Sequence, residues 1–294
     1  MSQPFRLNKE GLINRNKKIS FTFNGKKLFG YEGDTIASAL IANGIHLVGR
    51  SFKYHRPRGF FGAGVEEPNA KLQVEFNGHS EPNVNATEME LVEGLSATSQ
   101  NCWPSVNFDV GAINNFLKMF FPAGFYYKTF MWPKSFWYKI YEPFIRKAAG
   151  LGVASIEKDK ERYEHKFEYC DLLVTGSGPS GLASAYAAAK NGAKVILAED
   201  KPRFGGTLLT DDVSIDNLSG KDWAEKIISE LKSMPNVTVK NRSQVFGYYD
   251  HNMLVMFERV SDHLEKKSKF TPRQRLWYIS CLLYTSPSPR DQEA

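Results

Sequence analysis

Cysteine is scarce in this chain: there are three in 294 residues, Cys102, Cys170 and Cys281, and no two have C-x-x-C spacing. That distribution argues against a disulfide framework and against a zinc site, and it suits a reducing, cytoplasmic compartment. No charged segment followed by an apolar run opens the chain, so no secretion signal is expected. Long hydrophobic runs are missing too. The nearest approach, Phe116–Tyr141, is interrupted by Lys118, Pro122, Lys128, Pro133, Lys134 and Lys139, well short of the roughly 20 apolar residues that span a bilayer. We therefore expect a soluble protein. No His or acidic pair has metal-ligand spacing and no Ser/His/Asp order can be argued, so neither a metal site nor a catalytic residue is assigned. A charge excess of one sign is nearly absent as well. The net charge is +6, with basic residues scattered apart from Arg15–Lys18 and Lys266–Lys269, which gives no support for a nucleic-acid groove.

What remains is an ordinary globular composition, 42% apolar and 24% charged, in a chain long enough for about two domains. Residues 1–16 are polar and read as an arm. From Ile19 the run Ile-Ser-Phe-Thr-Phe alternates like a half-buried strand, Asn24-Gly25 supplies a turn, and Leu28–Tyr31 returns as the second arm of a β-hairpin. Asp34 is the expected N-cap of a helix from Thr35 to Asn43 that Gly44 stops, and further strands are expected at Leu72–Phe76 and Met89–Val92. Hairpin, helix, then strands is the order of an α+β, ferredoxin-like β-grasp domain over residues 17–103. A plant-type ferredoxin would carry its cluster ligands in the loop His46–Gly64, which has no cysteine. No iron–sulfur cluster is therefore expected. His55, inside the basic stretch Tyr54–Gly59, could help hold an anion such as a flavin phosphate, although such loops are more often surface or interface. Residues 104–165 are rich in aromatic side chains and read as a connector that packs across neighbouring domains or docks another subunit. The charged run Glu157–Lys166 marks a boundary.

Residues 166–279 carry the chemistry. Asp171–Thr175 reads as a buried parallel strand leading into Gly176-Ser177-Gly178-Pro179-Ser180-Gly181, a G-x-G-x-x-G loop. A helix over Leu182–Asn191 follows, ended by Gly192, and a second strand Lys194–Ala198 finishes at Glu199. Gly176 permits the tight turn, Gly178 lets backbone approach a pyrophosphate, and Gly181 lets the helix pack on the strand. The helix N-terminus offers free N–H groups and partial positive charge to the phosphates. A carboxylate at Glu199 can accept from an adenosine ribose and disfavours a 2′-phosphate, hence NADP. Asp200, Lys201, Gly205, Gly206 and Thr207 complete the candidate contacts. The E-x5-GG spacing from Glu199 to Gly205-Gly206 is similar to that of flavoproteins with two dinucleotide domains. Together these signals give an incomplete α/β Rossmann-type domain that binds a dinucleotide, with FAD and NAD inseparable from the motif. His251, in Tyr248–Asn252, reads as structural, and Cys102 and Cys170 as buried small residues.

Several longer segments are more specific: HLVGRSFKYHRPRG, GAGVEEPNA, PAGFYYKTFMWP, YEPFIRKAAGLG, and GYYDHNML followed by TPRQRLW. Together with the nucleotide motif they resemble the alpha subunit of heterotetrameric sarcosine oxidases, from about Asn14 to Trp277. The resemblance implies an oxidoreductase acting on CH–NH donors, which demethylates sarcosine with tetrahydrofolate and O2. Its products are glycine, methylenetetrahydrofolate and H2O2. It implies FAD in a beta subunit, FMN at the interface with that partner, and NAD held at Gly176, Gly178, Gly181 and Glu199. It also implies gamma and delta partners, and folate bound by a carboxy-terminal domain that is missing here. Ser280–Ala294 departs from the family and resembles translated sequencing-adapter sequence. The expectation is thus an inactive fragment whose sheet lacks later strands. Two alternatives stay open, another amine or opine dehydrogenase subunit and a non-catalytic nucleotide-binding scaffold.

Overall fold

The computed structural model describes residues 3–9, 11–120, 130, 132–149, 152–264 and 267–285. Residues 121–129 and 131 of the aromatic segment, Lys266 of the second basic cluster, and residues 286–294 of the expected tail lie outside them. The chain forms two compact units, Met1–Asp159 and Lys160–Ala294.

The first unit is built on a five-stranded sheet. Strand β1 (Asn14–Phe23) pairs antiparallel with β2 (Lys26–Glu32). Both residues of the Asn24-Gly25 turn have positive φ, 48° and 77°, the twist that a two-residue hairpin requires. Helix α1 (Ile36–Ala42) follows, then a short ribbon of β3 (Gly49–Arg50) and β4 (Pro57–Arg58), then β5 (Lys71–Phe76), β6 (His79–Asn85) and β7 (Ser96–Ser99). The sheet order is β2-β1-β7-β5-β6, with β7 parallel to β1. Alternate residues Ile19, Phe21 and Phe23 of β1, and Leu72, Val74 and Phe76 of β5, pack with Ile36, Ala39 and Leu40 of α1 in one core.

Three expectations change here. The helix N-cap is Thr35, in a capping box with Ser38, and not Asp34. The Asp34 carboxylate is committed elsewhere: it accepts from Tyr31 N (2.9 Å), Ser38 Oγ (2.8 Å) and both terminal nitrogens of Arg6 (2.7 and 3.1 Å). Arg6 belongs to the segment read as an arm, whose described residues pack on the unit, with Phe5 donating its N–H to Ala42 O and stacking edge-on against His46. Met89–Val92 is not a strand, because its backbone pins the start of the helix instead. Met89 O accepts from Ile36 N, and Leu91 N donates to Asp34 O. The fourth and fifth strands of the sheet are β6 and β7.

Beyond Asn101 the described residues of the first unit include the short helices α2 (Ile113–Phe116) and α3 (Glu142–Ala149). Trp103, Phe108, Phe116, Trp132, Tyr138 and Phe144 are each at least 69% exposed, so these aromatic side chains face outward.

The second unit holds β8 (Tyr163–Thr175), α4 (Pro179–Lys190), β9 (Val195–Ala198), the ribbon β10 (Ser214–Ile215) and β11 (Leu218–Ser219), α5 (Gly220–Ser233), and β12 (Val237–Lys240). Strands β13 (Ser243–Tyr249), β14 (Met253–Arg259) and β15 (Gln274–Thr285) complete it. The main sheet runs β12-β9-β8-β15-β14-β13, parallel through β15 and antiparallel beyond. All four residues of β9 are buried, Val195 and Leu197 toward the helices and Ile196 and Ala198 toward the opposite core. That is the pattern of a strand covered on both faces.

Strand β8 starts well before Asp171 and takes in part of the expected charged boundary, because its early side chains find partners on β15, as Glu164 does with Arg275. Strand β15 runs through the expected break at 279/280, with Ser280 and Cys281 opposite Tyr169 and Cys170. The sheet edges are therefore β12 and β13, and β8 is internal. Cys170 and Cys281, remote in sequence, face each other with sulfurs 3.4 Å apart, while Cys102 is half-buried rather than buried. His251 stands in the β13–β14 turn with φ 61°.

Removing one partner of a buried ion pair costs about 3–5 kcal/mol. The Asp34 side chain is 1% exposed and that of Arg6 is 12% exposed. Asp34→Ala should therefore destabilise the chain by about that amount, read as a lowered urea midpoint, whereas Lys17→Ala, whose partner Glu32 lies in solvent, should change it by less than about 1 kcal/mol.

Candidate dinucleotide site

The site is assembled where two parallel strands end and one helix begins. Gly176 turns the chain at the end of β8 with φ 93° and donates its N–H to Ala198 O at 2.7 Å, locking the turn to β9. Gly178 is the N-cap of α4 and Pro179 its first residue. Proline there loses no helical hydrogen bond and has φ already set. No acidic residue lies in the first turn and no side chain caps it, so the N–H groups of Ser180 and Gly181 point out unsatisfied with the positive end of the helix dipole. Gly181 is buried, and with Leu182, Ala185 and Ala189 it faces the sheet. A Cβ placed on Gly178 meets nothing within 4 Å. The loop thus leaves a cradle bounded by backbone, the shape a pyrophosphate requires.

Ser177 is fully buried and ties the loop to the second strand. Its N–H donates to Glu199 Oε2 at 2.8 Å, and its hydroxyl donates to the same oxygen. Glu199 Oε1 accepts from Lys201 N at 3.1 Å. Burial, and then the neighbouring Asp200 side chain, push the Glu199 carboxyl up to about 7, against the pull of the Ser177 and Lys201 donors. The backbone of Glu199 is pinned on both sides, its N–H to Lys240 O and its carbonyl by Ser243 N. Asp200 is half-buried, with its carbonyl accepting from Arg259 Nη2 at 2.6 Å. Lys201 and Thr207 are exposed.

Gly205 returns the chain to the loop, its N–H donating to Ser177 O (3.1 Å) and Ser177 Oγ (3.0 Å). A Cβ on Gly206 would lie 3.0 Å from Gly178 Cα, and Gly205 and Gly206 both have positive φ. The twelve residues expected to contact a nucleotide thus fall in one region of the second unit. What the motif could not show is that Ser177 joins its two halves through a side chain.

His55 is elsewhere, in the first unit, and its imidazole is already used. Its Nδ1 lies 2.7 Å from Asp109 Oδ2, in a pair nearly closed to solvent. Arg50 donates to Val106 O and Asn107 O, Arg56 to Asn115 Oδ1, and Asn114 to Lys53 O. Gly111 sits so close to His55 that a Cβ would lie 2.3 Å from the ring. The loop in the cluster position is therefore braced from within the unit. The buried Glu67 carboxylate collects the N–H groups of Phe61, Gly62, Asn69 and Ala70; burial pulls its pKa up, but these donors hold it below the usual range.

Two family models match. One, described as a 2Fe-2S iron-sulfur cluster binding domain, covers residues 16–102, and one described as FAD dependent oxidoreductase covers 171–254. The sarcosine oxidase subunit alpha of Rhizobium meliloti (strain 1021) is 54% identical over 275 residues, 94% of this chain. Along nearly its whole length the chain is similar to the sarcosine oxidase alpha subunits. It spans 28% of the length of that relative, and 25% of the sarcosine oxidase subunit alpha of Corynebacterium sp. (strain U-96), to which it is 32% identical. The solved L-proline dehydrogenase from P. horikoshii matches over 97% of this chain and 43% of its own, with a TM-score of 0.57 at 17% identity, a likeness of fold.

The first of those models raises the question of a cluster in this chain. Residues 16–102 contain one cysteine, Cys102, whose thiol is pushed up by burial and then by Asp109. Among the described residues no group of three or more His, Cys, Asp or Glu could hold a metal. These residues do not fit a thiolate-held cluster. Among the described residues no helix is long and apolar enough to cross a membrane.

Because folding raises the Glu199 pKa from 4.5 to about 7, the folded state binds more protons than the unfolded state across that window. The contribution of this group to stability therefore falls as pH rises through it. The difference in unfolding free energy between wild type and Glu199→Gln should shift in favour of the variant from pH 4.5 to 7, then level off. Parallel pH profiles from urea titrations would contradict the raised pKa.

Proposed function

We propose that residues 171–207 bind the ADP half of a dinucleotide, in an alpha subunit of a complex that oxidatively demethylates sarcosine. The observation carrying the first part is the open backbone cradle at Gly178, beside an uncapped helix N-terminus and opposite a carboxylate held in place. In this reading the N–H groups of Ser180 and Gly181 bind the pyrophosphate, Gly206 closes over it, and Glu199 accepts from the adenosine ribose. The ADP half is common to FAD and NAD. The FAD dependent oxidoreductase match over 171–254 favours FAD, while the kinship with sarcosine oxidases brings NAD into the same motif. Bound flavin would supply two-electron chemistry, whereas NAD here would be a resident, non-turnover ligand.

The second part rests on the identity to sarcosine oxidase alpha subunits along nearly the whole chain. The complex would turn sarcosine, tetrahydrofolate and O2 into glycine, methylenetetrahydrofolate and H2O2, with FAD in a beta partner, FMN at the interface with it, and gamma and delta subunits completing a cytoplasmic heterotetramer. The exposed aromatic side chains between Trp103 and Phe144 are the surface we assign to a partner, since Trp, Tyr and Phe are favoured at interface cores. No residue of this chain acts on sarcosine in this reading; its work is to hold nucleotide and partners.

Gly178→Val places a side chain in open space and should leave folding intact while weakening FAD or NAD binding by about 100-fold, or about 2.7 kcal/mol. Undiminished affinity would overturn the assignment of the cradle. An alpha subunit containing these residues, co-purified with its partners, should consume O2 and form H2O2 with sarcosine. Mass analysis of the nucleotide it releases decides between FAD and NAD. Oxidation of opines or other secondary amines without sarcosine activity would move the chain to a different amine dehydrogenase.

A further inference from the structure

We infer that the Ser177 side chain is a positioning residue that favours the ionised form of Glu199, aims it at the nucleotide ribose, and couples it to the Gly205-Gly206 closure. This inference rests on the dinucleotide reading above and deepens it.

The argument starts from what a buried carboxylate needs. Glu199 is 4% exposed, and removing an ionised carboxyl from water is unfavourable unless donors replace the solvent. Its donors are Ser177 N, Ser177 Oγ and Lys201 N. Two are backbone groups that any residue but proline would supply. The hydroxyl is the one that a side-chain substitution removes. The charged groups around Glu199 do not replace it. Asp200, adjacent on the same segment, acts in the opposite direction. The Lys240 ammonium, from β12, is held by Glu258 of β14 at 3.1 Å. Arg259 of β14 donates to the Asp200 carbonyl. Lys201 and Arg242 take part through backbone, Lys201 N on the carboxylate and Arg242 N on Lys201 O.

The same hydroxyl also accepts from Gly205 N at 3.0 Å. A hydroxyl that donates one way and accepts the other transmits orientation between its partners. The glycine turn that touches Gly178 and the carboxylate that meets the ribose are thus set by one atom. A ribose hydroxyl donates to a carboxylate, so binding favours the ionised form of Glu199. Affinity should rise with pH as Glu199 ionises, and a weaker donor at position 177 should move that rise to higher pH.

The test is equilibrium dialysis of the 294-residue chain with FAD, and separately with NAD, at pH values on both sides of the Glu199 midpoint. For wild type we expect affinity to increase with a midpoint near 7, the value to which Glu199 is raised, and Glu199→Gln should abolish the pH dependence. Ser177→Ala should move the midpoint upward by about one pH unit, losing about tenfold in affinity on the acid side and recovering most of it about two units above the midpoint. Ser177→Cys, nearly isosteric but a poorer donor, should fall between. If Ser177→Ala weakens binding equally at every pH, or leaves the midpoint in place, Ser177 is only structural and the inference fails while the dinucleotide reading stands. If wild type binds neither FAD nor NAD at any pH, both fall. Carboxyl carbon resonance follows the ionisation of Glu199 in nucleotide-free wild type and Ser177→Cys, and so tests the same link without binding. A higher midpoint in the variant supports the inference, and an unmoved one overturns it.

Discussion

A carboxylate buried at the end of β9, held by the loop that ends β8, is the constraint on which the second unit is organised. Glu199 can lie there only because Ser177 and Lys201 present donors to it. Those donors are in place only because Gly176 turns the chain sharply and pins itself to Ala198. The turn leaves α4 starting at Gly178 with its first N–H groups unsatisfied. Helix, turn and carboxylate therefore follow from one another, and the space they enclose accepts negative charge on one side and donates nothing to it from Glu199 on the other. A group with phosphates at one end and sugar hydroxyls at the other meets both demands.

The first unit answers a different constraint with the same chemistry. Its loop occupies the position where a ferredoxin holds iron, yet it has no thiolates to offer. Backbone N–H groups in such a loop still need acceptors, and Glu67 provides them from within, taking four. Arg50, His55 and Asp109 then bind the loop to the residues that follow Asn101. The loop thus keeps its backbone satisfied by a side chain of its own unit, with residues that do not fit a thiolate-held cluster.

How much of this is legible in sequence depends on how local each determinant is. The Asn24-Gly25 hairpin and the strand–loop–helix–strand series from Asp171 to Glu199 are written in adjacent residues whose backbone requirements glycine, asparagine and proline reveal. Asp34 has the chemistry of a capping residue, but its neighbour Thr35 can cap too. The choice is made by Arg6, 28 residues away, because an acidic side chain with a buried cation within reach does more there than at a helix end. Met89–Val92 has the composition of a strand and gives its backbone to the helix start instead. Tyr163–Lys166 has the charges of a solvated boundary, and only the partners on β15 turn those charges into a strand. Cysteine spacing cannot anticipate that Cys170 and Cys281 lie opposite each other, since parallel pairing brings together residues 111 apart.

Within the site the same division holds, and it explains why the glycines are legible while the serine is not. Each glycine answers a backbone demand, a positive φ or a close approach, that no other residue meets, so its presence is informative by itself. Ser177 answers a demand created by two other segments, Glu199 at the end of β9 and Gly205 beyond it, and a serine at the second position of a glycine loop looks like filler until those segments are folded against it. Its burial is what gives it weight. An exposed hydroxyl beside an exposed glutamate would exchange with water and hold neither partner, whereas here solvent is excluded and the one side-chain donor governs both the charge and the direction of the carboxylate. The specificity of a fingerprint shared by many nucleotide-binding folds is in that sense set by its variable positions, through contacts that become visible only in three dimensions.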